Sequence, residues 1–167
     1  LPKKNLCGDC KACLKICPTK AIIEPYVLDA KKCISYLTIE NKGAIPEEYR
    51  KPMGNRIFGC DDCQIFCPWN RYANQNKEKD FKPRHGLQNE ELINLFQWSE
   101  NEFDRKTAGS AIRRTGYQGW LRNIAVALGN TKSLPNLTQI LLARKGYSQL
   151  LDEHINWALE QHTRISA

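Results

Sequence analysis

At 167 residues the chain has room for one sizeable core or two small ones, and no apolar run approaches the roughly 18 residues of a membrane span. Its formal net charge is +7, from 25 Lys and Arg against 18 Asp and Glu, and it carries eight cysteines. The opening "LPKKNLCGDC" has no apolar segment of the kind that directs secretion, so clustered cysteines favour metal binding over disulfides.

The chain begins at Leu1 and its first cysteine follows six residues later. The expectation is a fragment or processed chain whose natural N-terminal part is missing. The first cluster of thiols is Cys7-x2-Cys10-x2-Cys13-x3-Cys17-Pro18. This is the bacterial ferredoxin run for a [4Fe–4S] cluster, in which the fourth cysteine serves the other cluster. A compact loop offers three thiolates to one face of the cube. Gly8 keeps bulk out of that loop, and proline redirects the chain after the crossing cysteine.

Short strands are predicted at Ala21–Ile23 and Ile34–Ile39, the second just after an isolated Cys33. The stretch "NKGAIPEEYRKPMGNR" then reads as a surface excursion. The second group is Cys60-x2-Cys63-x3-Cys67-Pro68. Aligned from its proline, it lacks a first cysteine, and Cys33 is the one left over. By this count Cys7, Cys10, Cys13 and Cys67 hold one cluster, and Cys17, Cys33, Cys60 and Cys63 hold the other. Zinc sites also use CxxC pairs but seldom stack three at this spacing before x3-Cys-Pro, so iron–sulfur is the favoured reading. Lys11, Lys15, Lys20, Lys31 and Lys32 lie near these motifs, either as plain surface groups or as partial offsets to anionic clusters. Trp69 either shields a cluster or fills a core.

The polar "NRYANQNKEKDFKPRHG" marks a linker, taken as 76–86 between a cluster module at 1–75 and a helical domain at 87–167. Leu92, Ile93 and Phe96 form one helical stripe. Ser99 with Glu102 has capping-box spacing. Trp120, Leu121, Ile124 and Leu128 form another stripe, stopped at Gly129-Asn130. "SLPNLTQILLARKG" and "SQLLDEHINWALEQH" supply two more helices, the last capped by Ser148. The predicted fold class is α+β: a small ferredoxin-like two-cluster module followed by an all-α helical-repeat domain. His85, His154 and His162 show no paired metal spacing and read as solvated or structural.

From Arg105 to Leu151 there are eight basic residues and no acidic one. Arg113, Arg114 and Arg122 are interleaved there with Tyr117 and Trp120. Arginine forks and aromatic faces are the pairing used on phosphates and unstacked bases, although both aromatics also suit a core.

The stretches "CGDCKACLKICPTKAI", "LDAKKCISYLTIE", "NRIFGCDDCQIFCPWN" and "GSAIRRTGYQGWLRNIAVALGN" closely resemble the C-terminal part of the epoxyqueuosine reductases. The resemblance covers nearly the whole chain. It implies a cytoplasmic, monomeric oxidoreductase of queuosine biosynthesis, with two [4Fe–4S] clusters, cobalamin in an N-terminal domain and a HEAT-like C-terminal domain. The tRNA anticodon stem-loop and a flavodoxin or ferredoxin donor are the implied partners, and no membrane is involved. Electrons would pass through the clusters to cobalamin, which acts on the epoxide of epoxyqueuosine to give queuosine. The family's general acid lies in the domain this chain lacks, so no catalytic residue carries over. Ser35 and Asp61 become candidate cobalamin neighbours, and Arg113, Arg114 and Arg122 candidate tRNA contacts. Two other readings stay open: a stand-alone two-cluster electron carrier, and a zinc-stabilised RNA-binding module.

Overall fold

The computed structural model describes residues 6–74, 76–79, 86–87, 90–132 and 134–165. Its first part is built of short pieces. A tight turn, closed by Cys10 N–H donating to the Cys7 carbonyl at 3.0 Å, leads into helix α1 (Ala12–Ile16). An antiparallel hairpin follows, β1 (Ile22–Glu24) with β2 (Val27–Leu28), pairing Ile22 with Leu28. Then come α2 (Ile34–Ile39), α3 (Glu47–Met53) and α4 (Asp62–Ile65), the last packed against α1.

The second part is helical: α5 (Leu92–Gln97), α6 (Glu100–Lys106), α7 (Tyr117–Gly129), α8 (Leu137–Leu142) and α9 (Gln149–Ile165). Start signals read in the sequence are present as bonds. Glu102 N–H donates to Ser99 Oγ at 3.3 Å, and Ser99 N–H donates back to Glu102 Oε2 at 2.9 Å. Leu151 N–H donates to Ser148 Oγ at 3.2 Å. The α7 stripe of Trp120, Leu121, Ile124 and Leu128 is buried as expected, each side chain contributing about 2 kcal/mol by leaving water. Trp98 stacks on Trp120 with ring centroids 5.7 Å apart. Helix α9 crosses α7 so closely that a Cβ on Gly129 would lie 2.6 Å from the Trp157 ring and 2.9 Å from Ala158 Cα.

Two local expectations are corrected. Ile34–Ile39 is helix α2, not a strand. Its buried positions are Ile34, Leu37 and Thr38, the i, i+3, i+4 spacing of one helical face. Cys33, extended at φ −70° and ψ 125°, sits at its N-cap. Nor is the stretch after it a surface excursion: it contains α3 and buries Ile45, Arg50 and Met53. These residues join the core of α7 and α9, so packing unites segments that the sequence reading places in separate domains. Of the predicted linker 76–86, only 76–79 and 86 fall within the described residues, and His85 lies outside them.

Polar bonds reinforce that union. Ile45 N–H donates to His154 Nε2 at 3.1 Å, and Nδ1 of the same ring lies 2.7 Å from the Leu150 carbonyl. The imidazole is therefore neutral, with its proton on Nδ1, and burial pushes its pKa down to about 4. Asn130 Nδ2 donates to the carbonyls of Arg50 and Gly54 at 2.8 and 3.0 Å. Arg50 reaches Glu153 and lies over the Trp157 ring.

Candidate metal centres

All eight cysteines lie among the described residues as free thiols. Among the described residues no three His, Cys, Asp or Glu side chains converge as a single metal ion requires; the thiols instead line two cavities. The first, of about 300 Å³, is bordered by Cys13, Cys17, Cys33, Cys60 and Cys63, with Ile22, Val27, Leu28 and Ile34 among its apolar walls. The second, of about 230 Å³, is bordered by Cys7, Cys10 and Cys67, with Pro68, Trp69 and Tyr72. Cys17 and Cys67 thus sit across from their own motifs. Cys13 borders the first cavity although its motif neighbours Cys7 and Cys10 border the second.

Local structure explains how distant thiols meet. Cys33 caps α2, and two residues on, Ser35 Oγ accepts the Cys60 N–H at 3.1 Å. Thr38 Oγ1 accepts the Gly59 N–H at 2.9 Å while donating to the Ile34 carbonyl at 2.7 Å. Gly59, at φ +72°, makes the turn that presents Cys60. Arg56 Nη2 holds Asp62 Oδ2 at 2.7 Å at the start of α4, which carries Cys63.

The electrostatics suit bound cations. Burial pushes the Cys60 and Cys63 thiols up, and neighbouring acidic groups (Asp62 beside Cys60, fellow thiols beside Cys63) add to this. Burial raises Cys17 as well, but the Ala21 N–H at 3.2 Å, the Thr19 hydroxyl and further backbone bonds outweigh it, and its thiol is lowered. Sulfur of this kind, bonded by amides and walled by apolar side chains, fits a thiolate-held cluster. On this donor chemistry the residues fit two [4Fe–4S] groups. Trp69 is no core residue: it is 57% exposed, and its Nε1 donates to the Leu6 carbonyl at 3.0 Å beside the second cavity.

The other predicted site residues divide. Ser35 is partly buried against Cys60, and Asp61 is exposed at the N-cap of α4, accepting from Gln64 Nε2 at 3.3 Å. Arg113 and Arg114 stand on a surface turn at 53% and 68% side-chain exposure, paired with Asp104 at 3.5 Å and Glu40 at 2.8 Å. Arg122 is a correction. It is fully buried and donates to the carbonyls of Leu37, Asn41 and Gly43 at 2.8, 2.7 and 2.6 Å, so no tRNA phosphate can reach it. Burial lowers its pKa to about 10, which leaves it charged at neutral pH. Tyr117 and Trp120 are core residues too.

Residues 6–70 match the model of the 4Fe-4S double cluster binding domain. The chain is 60% identical over 160 residues to epoxyqueuosine reductase of Escherichia coli, covering 96% of this chain and 42% of that protein. It is 59% identical over 157 residues to epoxyqueuosine reductase of Pseudomonas aeruginosa, covering 93% and 44%. The chain is related to part of epoxyqueuosine reductase. It spans less than half the length of these relatives. Among solved structures, epoxyqueuosine reductase from Bacillus subtilis superposes with a TM-score of 0.85 at 32% identity, over 96% of this chain and 43% of that one. An epoxyqueuosine reductase with a tRNA-Tyr epoxyqueuosine-modified stem loop matches equally, with a TM-score of 0.85, 31% identity, and 96% and 43% coverage. The shared architecture is helix-rich with a small sheet beside the cluster-binding residues.

Proposed function

We propose that this chain is the electron-relay and tRNA-docking part of a cobalamin-dependent epoxyqueuosine reductase, which converts epoxyqueuosine to queuosine at the tRNA wobble position. The observation that carries this reading is the pair of thiol-lined cavities, each drawing on both cysteine motifs, in a chain so similar to those reductases. Cys7, Cys10, Cys13 and Cys67 hold one [4Fe–4S] cluster; Cys17, Cys33, Cys60 and Cys63 hold the other. When bound, these groups supply single-electron transfer.

The protein's own residues do the rest. Apolar walls exclude water from the first cavity, and the Ala21 N–H stabilises charge on Cys17 sulfur. Ser35, beside Cys60, and exposed Asp61 form the face toward cobalamin. Arg113 and Arg114 offer exposed guanidinium forks to phosphates of the anticodon stem-loop. The reading includes a ferredoxin-like cluster module at 1–75 and a HEAT-like helical domain at 87–167, acting as a cytoplasmic monomer with a flavodoxin or ferredoxin donor. No described helix is long and apolar enough to cross a membrane.

Iron and sulfide analysis after anaerobic reconstitution tests the cluster assignment: about eight irons per chain are expected. Bound zinc in their place would overturn it. Salt-dependent binding of an anticodon stem-loop tests the docking role. A chain that ignores the stem-loop even at low salt would fit a stand-alone electron carrier instead.

A further inference from the structure

The two sets of thiols are held by different means. Cys7, Cys10 and Cys13 belong to one local turn and the helix after it. Cys33 and Cys60, by contrast, are separated by 26 residues, and no local loop can fix their spacing. Direct bonds begin the task, from Ser35 to Cys60 and from Thr38 to Gly59. A second layer comes from α7. Asn123 is fully buried and donates from Nδ2 to the Thr38 carbonyl at 2.8 Å and to the Ile57 carbonyl at 2.9 Å. Its Oδ1 accepts from Arg122 Nε and Nη2 at 3.1 and 2.8 Å, which fixes the amide's orientation. One side chain thus spans the two segments that carry Cys33 and Cys60, and a charged neighbour locks it.

We infer that Asn123 is a positioning residue for the cluster held by Cys17, Cys33, Cys60 and Cys63, setting the separation of Cys33 and Cys60 through the backbone of Thr38 and Ile57. The inference rests on the cluster assignment above. It makes this cluster dependent on the helical core, whereas the Cys7 set has local support of its own. Loss of Asn123 leaves two carbonyls without their donor and frees the loop before Cys60 to drift from α2.

The test compares the wild-type chain with Asn123→Ala and Ser35→Ala after anaerobic reconstitution, and takes Cys33→Ala as reference. Iron content, the rate of iron extraction by a chelator, and the electron paramagnetic spectrum of the reduced chain are measured. In Asn123→Ala, about four of the eight irons are expected to extract some 10- to 100-fold faster. The magnetic coupling between two reduced clusters should weaken toward the single-cluster spectrum of Cys33→Ala. Ser35→Ala, partly exposed and mild for the fold, should shift extraction in the same direction by less. If Asn123→Ala does not fold, Ser35→Ala decides by the same readouts. Wild-type extraction rates in the folded variants would overturn the assignment, as would equal acceleration for all eight irons. A wild-type chain that binds no iron would overturn the cluster reading itself.

Discussion

Arg122 donates from Nη2 to the Leu37 carbonyl at 2.8 Å, closing the end of α2 from inside the protein. The last carbonyls of a helix have no partner within it, and here Arg122 satisfies those of Leu37, Asn41 and Gly43 from α7, some 80 residues away. Arg122→Ala should lower stability by about 3 kcal/mol or more, since buried acceptors lose charged donors and a cavity opens. Denaturant unfolding measures it. If Arg122→Ala were as stable as wild type and instead weakened tRNA binding, the sequence-based role would return.

The histidine at the α9–Ile45 junction gives the fold an acid limit. Folded His154 takes its proton only near pH 4, whereas the unfolded side chain does so near 6.5. Between these values the unfolded chain binds more protons, so stability rises with pH across this window and is fully present above it. The shift corresponds to about 3 kcal/mol. Urea unfolding from pH 4 to 7 should show this slope in wild type and a flatter one in His154→Gln. The charges that face the ring, Arg50, Glu153 and Arg122, stay in both proteins.

Much of the site was legible because thiols at fixed spacing have few uses. The eight cysteines, the capping box and the α7 stripe all depend on local pattern. What failed was non-local. The run after Cys33 is rich in β-branched residues and reads as a strand, but its partner is α7, not another strand. Ile45, Arg50 and Met53 lie among prolines, glycines and charges, and only burial against α9 and α7 makes them core. For Arg122 a signal did exist. Every residue from Gly119 to Gly129 is buried, and a helix apolar on all sides implies that a charge inside it is paired in the core.

Replacing Cys33 with alanine should remove one cluster and spare the other. About four irons should remain, by colorimetric iron and sulfide assay. A full complement would make Cys33 an ordinary buried thiol.

Arg113→Ala and Arg114→Ala address the surface turn. Their pairs with Asp104 and Glu40 are exposed, and each contributes at most about 1 kcal/mol to stability. If each arginine meets one phosphate, each replacement lowers the salt slope of stem-loop binding by about 1. Binding titrations at several salt concentrations would show it, and an unchanged slope would remove the turn from the interface.

Gly129→Ala should be severe for so small a change. The added carbon meets the Trp157 ring and the Ala158 backbone, and forcing α7 from α9 costs about 1–3 kcal/mol. Thermal unfolding reads the loss directly.

The stretch between Cys33 and Cys60 places Ile34, Leu37, Ile45 and Met53 in the core. A cluster bound to both cysteines ties the ends of that stretch together, as a disulfide would. Such a cross-link removes freedom from the unfolded chain worth on the order of 3 kcal/mol by loop-closure entropy. Metal binding is then also folding energy. An oxidant that strips this centre of iron would loosen α2 and α3 along with it, so damage at a redox group would be felt as softening of the protein's interior.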